Sequence, residues 1–210
     1  MKKKIAVFDF DGTLTRSDTL PAFIRHACGL RRLLWALALL SPRLVLMKLH
    51  LADNGRTKER LFAHCFGGMP LERFNALCRD FARHHAGIVR PRGRRALAEA
   101  LAEGAQVYIV SASLDNWVAP FFLTDDDGAL PPRLTVLGTR PQVDGPRLTG
   151  RFATPNCYGA EKVRRLTEAI PALAGHRADY FITAYGDSRG DKEMLDYADE
   201  PHWKPFRKQP

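Results

Sequence analysis

The sequence of 210 residues contains only four cysteines and no CxxC pair. A small secreted domain stabilised by disulfides has many more, and a cysteine-based metal site needs closely spaced ligands. We therefore predict free thiols in a reducing compartment, the cytoplasm. The apolar part of the N-terminus is also short, because it ends at Asp9. This excludes a typical secretory signal, which needs a longer apolar region.

Long uninterrupted apolar runs are lacking as well. The longest, LLWALALL at 33–40, is followed by PRLVLMKLHL at 42–51, in which Pro42, Arg43 and Lys48 interrupt the pattern. A membrane-spanning helix needs about 20 apolar residues in succession. Two interpretations remain open for this segment. It forms either a buried helical hairpin or a basic amphipathic surface that makes peripheral contact with an anionic membrane.

Acidic residues are scarce in one part of the chain. Residues 16–95 contain 16 basic and 5 acidic side chains, whereas the rest contains 16 basic and 18 acidic ones. The excess positive charge favours an anionic substrate, an anionic lipid surface or nucleic acid as a neighbour, although solvated helix faces would explain it too. No aromatic residues alternate with these arginines as in nucleic-acid-binding modules, so we consider nucleic acid an unlikely partner.

Strands and helices alternate outside the basic region. Three short apolar runs predict buried strands: 4–9, 106–113 and 180–187. Each run carries a polar side chain at its end: Asp9, Ser111 and Asp187. Helical patterns at 91–104 and 159–170 precede the second and third strands. The alternation predicts an α/β fold with a Rossmann-like parallel sheet in three layers. Ligands of such sheets bind beyond the carboxyl ends of the strands, where the three polar side chains would converge.

The region between the first two strands predicts helices only. We place them at 19–28, 31–40, 42–51, 56–66 and 70–86, with a stop and restart at Ser41-Pro42. This predicts an all-helical cap at 16–88, inserted after the first strand into a core of residues 1–15 and 89–210. Residues 134–152 predict a β-hairpin with Asp144-Gly145 at its turn. The last ten residues predict a short strand and a frayed end.

The first strand ends in two carboxylates, in the stretch KIAVFDFDGTLT at 4–15. Two like charges two residues apart repel each other, and an ordinary turn after a strand needs only one aspartate and a glycine. A divalent cation would offset the repulsion, and Mg²⁺ is commonly held by one or two carboxylates together with substrate phosphate. Backbone amides of the following turn would bind a phosphate. Asp9 and Asp11 therefore predict a site for Mg²⁺ and a phosphate.

The stretch DFDGTLT resembles the first motif of the haloacid dehalogenase superfamily of phosphatases. The other three motifs of this family have matches in order: Ser111 in IVSAS, Lys162 in CYGAEKVRRL, and Asp187 with Asp191 in YGDSRGDKEML. The resemblance covers nearly the whole chain. The position of the helical insert is similar to that of the phosphoserine-phosphatase-like branch.

This resemblance implies roles for the matching residues. Asp9 would attack phosphorus to form an aspartyl-phosphate, and Asp11 would act as general acid and then as general base. Ser111, with the neighbouring Ala112, would bind the phosphoryl group, and Lys162 would neutralise developing charge and hold Asp9. An aspartate two residues after the nucleophile favours phosphoryl transfer over dehalogenation, which needs no protonation of the leaving group.

The resemblance also implies the metal ligands. Asp187, Asp9 and the backbone carbonyl of Asp11 would hold Mg²⁺. Asp191 would be either a further ligand, through water, or a partner of Lys162.

Three functional hypotheses remain. The first is a Mg²⁺-dependent phosphatase for a small phosphorylated metabolite. In the phosphoserine phosphatases an acid and a cap arginine bind the substrate, and Asp18 and Arg60 are the candidate matches, although DGT and SAS stand here where those enzymes tend to have DST and SGG. The second is a phosphatase for a lipid phosphate, because the apolar cap resembles that of phosphatidylglycerophosphate phosphatases. The third is a non-catalytic protein that binds a phosphate ligand.

Overall fold

A computed structural model describes residues 2–48, 54–124 and 128–207; for residues 36, 37, 39–48 and 54 it describes the backbone alone. Seven strands occur in the described residues: β1 (Lys3–Phe8), β2 (Gln106–Leu114), β3 (Leu134–Thr139), β4 (Pro141–Asp144), β5 (Arg147–Phe152), β6 (Tyr180–Gly186) and β7 (Glu200–Trp203). Five of them form one parallel sheet in the order β3-β2-β1-β6-β7. The predicted α/β class with a parallel sheet is confirmed.

Eight α-helices occur in the described residues. They are α1 (Leu20–Lys48), α2 (Asn54–Phe66), α3 (Leu71–His84), α4 (Pro91–Ala102), α5 (Asp115–Val118), α6 (Ala160–Ala169), α7 (Leu173–His176) and α8 (Lys192–Tyr197). Alternate residues of β1 belong to two separate hydrophobic clusters, Ala6 and Phe8 to one and Ile5 and Val7 to the other. Side chains alternate between the faces of a strand, so β1 is buried on both faces and forms the middle of three layers.

The chain leaves the core after β1 and returns beside its point of departure. Thr15 forms a bridge with Val89, and the amide of Arg90 donates to the carbonyl of Leu14 at 2.7 Å. Helices α1, α2 and α3 lie in the sequence between Thr15, where the chain leaves the core, and Val89, where it returns. The adjacent crossings support the proposed division into a helical cap at 16–88 and a core.

Helix α1 differs from the prediction. The helix has a kink at Gly29, whose backbone is non-helical with φ +81°. Beyond the kink the helix continues through Ser41 and Pro42 to Lys48. The predicted break at Ser41-Pro42 was wrong. A proline inside a helix removes one backbone hydrogen bond, and here good helix formers such as Leu and Met follow it and sustain the helix. The end of the predicted helix 42–51 lies outside the described residues. Within them, no helix is both long enough and apolar enough to cross a membrane.

The predicted hairpin at 134–152 is only partly correct. β4 and β5 pair in antiparallel fashion around Gly145, but β3 pairs with β2 in the main sheet. The apolar residues of β3 explain the difference, because most are buried, whereas Val143 of β4 is exposed. The hairpin also packs on the cap, where the amide of Leu148 donates to the carbonyl of Met69 at 2.9 Å.

The cap has an aromatic core. Its fully buried side chains include Phe23 of α1, Phe66 of α2, and Phe74 and Phe81 of α3. Phe23 lies 4.8–5.8 Å, between ring centroids, from these three rings and from Trp117 of α5. Aromatic pairs at such distances stabilise a core beyond the area that they bury. The start of α1 is therefore held against both the cap and the sheet.

The segment after β7 packs against the core. Phe206 stacks on Tyr185 of β6 with ring centroids 5.4 Å apart, and the amide of Lys204 donates to the carbonyl of Gly186 at 2.8 Å. The predicted final strand is present as β7. These contacts carry the chain back toward the carboxyl end of β6 and bring Arg207 to the cavity described next.

Candidate active site

A cavity of about 350 Å³ opens beyond the carboxyl ends of β1, β2 and β6. All but one of the residues predicted for the site line it: Asp9, Asp11, Asp18, Ser111, Ala112, Lys162, Asp187 and Asp191. Arg60 is the exception, because it lies on the exposed side of α2. The structure therefore brings together groups that are far apart in the sequence.

The loop after β1 is tightly wound. Phe10–Leu14 forms a turn of π-helical type, and the hydroxyl of Thr15 accepts a hydrogen bond from the amide of Gly12 at 3.1 Å. Gly12 has φ +82°, and a Cβ on it would lie 2.6 Å from Oδ2 of Asp187. A side chain there would need both a strained backbone and space that Asp187 occupies. Gly12 thus permits the close approach of β1 and β6 ends.

Lys162 joins two carboxylates inside the protein. Its Nζ donates to Oδ1 of Asp9 at 2.6 Å and to Oδ1 of Asp191 at 2.5 Å. Helix α6 supplies the lysine, and all three residues are buried. Burial lowers the pKa of Lys162, but the two carboxylates outweigh this effect and hold the pKa above its usual range. The lysine therefore stays charged.

Asp9 is the least satisfied member of this group. Its Oδ2 is buried and has no hydrogen-bond partner in the protein. Burial raises the pKa of Asp9 to about 7, against the opposing effect of Lys162. A buried carboxylate oxygen without a partner is costly, and such atoms usually mark a missing ligand or a functional group.

Asp191, by contrast, has a full set of partners. Its Oδ1 accepts from Lys162, and its Oδ2 accepts from the amide of Asp187 at 3.1 Å and from the amide and hydroxyl of Ser188 at 2.9 and 2.8 Å. Burial raises the pKa of Asp191, but Lys162 and the bonds from Ser188 outweigh it, so that the pKa lies below its usual range. Of the two roles left open for Asp191, this geometry favours the partner of Lys162.

The donor set fits a divalent cation. One carboxylate oxygen each of Asp9, Asp187 and Asp191 lies within 4.8 Å of the other two. The three carboxylates and Lys162 together carry a formal charge of −2, which a divalent cation would neutralise. Mg²⁺ prefers carboxylate oxygens as ligands. Asp187 also accepts from the hydroxyl of Thr13 at 3.3 Å and is paired with Arg207. The arginine partly neutralises the carboxylate that would face the ion.

Asp11 is held more firmly than Asp9. Oδ1 accepts from both the amide and the hydroxyl of Thr19, each at 2.7 Å, and Oδ2 accepts from the hydroxyl of Ser113 at 2.5 Å. Trp117 in turn donates through Nε1 to the hydroxyl oxygen of Thr19 at 3.2 Å. The two aspartates thus have opposite surroundings. Asp9 has a bare oxygen, whereas both oxygens of Asp11 are hydrogen-bonded.

Ser111 and Ala112 lie at the end of β2. The hydroxyl oxygen of Ser111 accepts from the amide of Ser113 at 3.0 Å, so its proton remains available for donation. The carbonyl of Ala112 accepts from Lys58 at 3.1 Å and from Thr139 at 2.9 Å. Ser111 can therefore donate toward the cavity, while the carbonyl of Ala112 is engaged.

On the cap side of the cavity, the basic residue is not the arginine that was expected. Lys58 of α2 lines the cavity, whereas Arg60, two residues later, is exposed and does not line it. Asp18 does line the cavity, and its Oδ1 accepts from the amide of Leu20 at 2.9 Å at the start of α1. Crowding by surrounding protein and the charge of Asp11 raise the pKa of Asp18, and Lys58 opposes this.

Several residues in or beside the cavity escaped prediction. Ser113 had a sequence signal, since it lies two residues after Ser111 and alternate residues of a strand share a face. No sequence signal pointed to Thr19, Lys58 or Arg207, because these residues reach the site only when the cap and the C-terminal tail fold back over the core. Tyr158, which also lines the cavity, is held over Gly190, where a Cβ would lie 2.2 Å from the ring.

Comparisons with known proteins agree with this architecture. The profile of the haloacid dehalogenase-like hydrolase family matches residues 6–196. Protein CicA of Caulobacter vibrioides is 33% identical over 211 aligned positions, which cover 98% of this chain and 88% of that protein.

Solved structures share the fold at low sequence identity. A protein from Bordetella pertussis Tohama I superposes with a TM-score of 0.78 at 18% identity and covers 96% of this chain and 89% of its own. A phosphoserine phosphohydrolase-like protein from Francisella tularensis gives a TM-score of 0.62 at 15% identity, and the match covers 97% of this chain and 86% of that one. A phosphoserine phosphatase solved as an analogue of its phospho-aspartyl intermediate gives a TM-score of 0.57 at 18% identity. The match covers 94% of this chain and 84% of that one. With the family profile spanning most of the sequence and the four motifs meeting in one cavity, the chain belongs to the haloacid dehalogenase-like hydrolase family and has the fold of its phosphoserine-phosphatase-like branch.

Proposed function

We propose that this protein is a Mg²⁺-dependent phosphatase that hydrolyses phosphomonoesters through an aspartyl-phosphate on Asp9. The observation that carries the proposal is the bare, buried Oδ2 of Asp9 beside a charged Lys162. A carboxylate oxygen with no competing donor is available to attack phosphorus, and the lysine fixes the other oxygen at 2.6 Å.

The reaction has two steps. In the first, a bond forms between a carboxylate oxygen of Asp9 and phosphorus, the bond to the leaving oxygen breaks, and a proton on Asp11 passes to that oxygen. In the second, Asp11 takes a proton from water while the water oxygen bonds to phosphorus. The bond between Asp9 and phosphorus then breaks, which restores the carboxylate and releases phosphate.

Other residues bind and orient the phosphoryl group. The hydroxyl of Ser111 donates to one of its oxygens, and the backbone amides of the wound loop around Gly12 contribute further donors. Asp9, Asp187 and the backbone carbonyl of Asp11 would hold Mg²⁺, with Asp191 acting on Lys162. When bound, Mg²⁺ supplies positive charge that offsets the carboxylates and the phosphate.

The substrate class follows from the mouth of the cavity. Arg16, Lys58 and Arg207 line it together with one acid, Asp18. This mixture favours a small phosphorylated metabolite with an anionic or zwitterionic remainder. Phosphoserine is a candidate, with Lys58 rather than Arg60 as the cap cation.

A lipid phosphate is a second candidate because of one surface of α1. Leu30, Leu34 and Trp35 are 52%, 55% and 75% exposed, and two arginines, Arg31 and Arg32, accompany them. Apolar side chains together with cations favour contact with an anionic membrane surface.

The test is release of phosphate from a panel of compounds with and without Mg²⁺. The panel contains 4-nitrophenyl phosphate, phosphoserine, a nucleoside monophosphate and phosphatidylglycerophosphate in vesicles. We expect Mg²⁺-dependent turnover of at least one phosphomonoester, and turnover restricted to the vesicles would favour the lipid candidate. Binding of phosphate without turnover of any member would contradict the proposal and support a non-catalytic protein.

A further inference from the structure

The carboxylate of Asp11 is enclosed by donors to which the proposed mechanism gives no role. Thr19 donates twice to Oδ1, through its amide and its hydroxyl, and Ser113 donates to Oδ2. Thr19 lies immediately before α1, and Ser113 lies near the end of β2. Asp11 therefore links the start of the cap to the central sheet.

Trp117 fixes the orientation of the Thr19 hydroxyl. An indole Nε1 can only donate, so the oxygen of Thr19 must accept at that contact and its proton is directed elsewhere, toward Asp11. Thr19, Ser113 and Trp117 are each 0% exposed, so water does not compete for these bonds. The Trp117 ring is itself held by stacking on Phe23, with centroids 4.8 Å apart.

The two oxygens of Asp11 are consequently not equivalent. An amide and a directed hydroxyl both donate to Oδ1, which leaves little capacity there for a proton. The Ser113 hydroxyl contacts Oδ2 and can either donate or accept. When it donates to Oδ2, a second position on that oxygen stays open for a proton directed at the leaving group. Oδ2 is thus the oxygen on which a proton can reside in both halves of the reaction.

We propose that Thr19, Ser113 and Trp117 are positioning residues that aim Oδ2 of Asp11 at the leaving oxygen. The inference rests on the proposed phosphatase function and goes beyond it, since it assigns to the proton transfer three residues that have no role in the mechanism proposed above. They act through Asp11 and do not touch the reacting atoms. Their loss impairs protonation of the leaving group while the attack by Asp9 is retained.

The test compares two aryl phosphates of similar shape, phenyl phosphate and 4-nitrophenyl phosphate. Nitrophenolate leaves readily without a proton, whereas phenolate depends much more on general acid catalysis. For Ser113→Ala, Thr19→Val and Trp117→Phe we expect kcat/KM for phenyl phosphate to fall about tenfold more than kcat/KM for 4-nitrophenyl phosphate. A loss of folded protein reduces both values by the same factor, so the ratio reports on positioning alone.

Three further variants make the comparison decisive. Ser113→Thr keeps the hydroxyl and is expected to retain most of the wild-type ratio. Thr183→Val removes a hydroxyl on β6 that contacts Glu200 at 3.4 Å, away from the cavity, and is expected to leave the ratio unchanged. Asp11→Asn is expected to show the largest change in ratio.

The outcomes separate the two proposals. Equal losses on both substrates in all three positioning variants, with a changed ratio in Asp11→Asn, would overturn the inference and leave the phosphatase function standing. A wild-type protein without Mg²⁺-dependent activity on either substrate would overturn both.

Discussion

The core side and the cap side of the cavity hold their charged groups in different ways. On the core side, Asp9, Lys162 and Asp191 are at most 5% exposed and are joined by bonds of 2.5–2.6 Å. On the cap side, Arg16 and Asp18 are exposed. Buried charges with fixed partners cannot shift without a large cost, whereas exposed ones can adjust. The difference supports our proposal that the core side carries the chemistry and that the cap side selects the substrate.

The largest effect is expected on the core side from Asp9→Asn. The side-chain amide of asparagine carries no negative charge and is a poor nucleophile. Turnover of any phosphomonoester should therefore fall at least about 10⁴-fold. Phosphate release under saturating Mg²⁺ measures this, and circular dichroism confirms the fold. Near-normal turnover in this variant would remove the proposed mechanism.

The same carboxylate should make stability depend on pH when no metal is present. Because the pKa of Asp9 is raised to about 7, the folded protein holds a proton between about pH 4 and 7 that the unfolded chain has lost. Stability should therefore fall as the pH rises from about 5 to 8, by up to about 3 kcal/mol, since this range spans about two pKa units and one unit corresponds to about 1.4 kcal/mol. Urea unfolding in chelator at the two pH values measures this. Asp9→Asn should flatten the dependence, and an equally steep loss in that variant would count against the assignment.

Asp11→Asn tests the other carboxylate at the same edge. Loss of general acid and base catalysis should lower kcat at least about 10²-fold, while binding of inorganic phosphate should stay close to that of the wild type. Steady-state kinetics and calorimetry measure the two quantities. Undiminished kcat would mean that the hydrogen-bonded Asp11 serves structure alone.

Lys58→Ala tests the cap side. Removing this cation should raise KM about five- to tenfold for an anionic substrate, which corresponds to about 1 kcal/mol, and should change kcat less. Arg60→Ala is the matched control, because this residue of the same helix is exposed outside the cavity, and it should leave KM unchanged. The reverse result would restore Arg60 as the substrate ligand.

The smallest effect concerns the tail. Arg207 pairs with Asp187, a candidate metal ligand, and is about half exposed. Such pairs contribute up to about 1 kcal/mol, so Arg207→Ala should lower the Mg²⁺ concentration for half-maximal activity about threefold. Arg189→Ala, an exposed arginine outside the cavity lining, is the control. An increase in the Mg²⁺ requirement would show instead that Arg207 supports the site.

The sequence was sufficient to predict the parts of the molecule that follow from topology. Polar residues at the ends of parallel strands must converge, so the meeting of Asp9, Ser111 and Asp187 could be foreseen. The contact of Lys162 with Asp9 required the family resemblance in addition, because a lysine on a helix is usually solvated.

Other features depend on tertiary packing and could not be predicted. Helix α1 continues through Pro42 because one missing hydrogen bond is a local cost that the rest of the helix tolerates. Whether Lys58 or Arg60 faces the cavity depends on the rotation of α2, which the helical pattern alone leaves uncertain. The contact of Thr19 and Trp117 joins positions 98 residues apart that no short motif connects.

The most direct test of the account is to trap the covalent intermediate. The enzyme is mixed with 4-nitrophenyl phosphate and Mg²⁺, quenched within milliseconds, reduced with borohydride and digested for mass spectrometry. Reduction of an aspartyl-phosphate yields homoserine, and we expect homoserine at position 9 in the wild type and at no position in Asp9→Asn. Homoserine at a different acidic residue, or its absence throughout a burst of nitrophenol release, would contradict the assignment of Asp9 as the nucleophile.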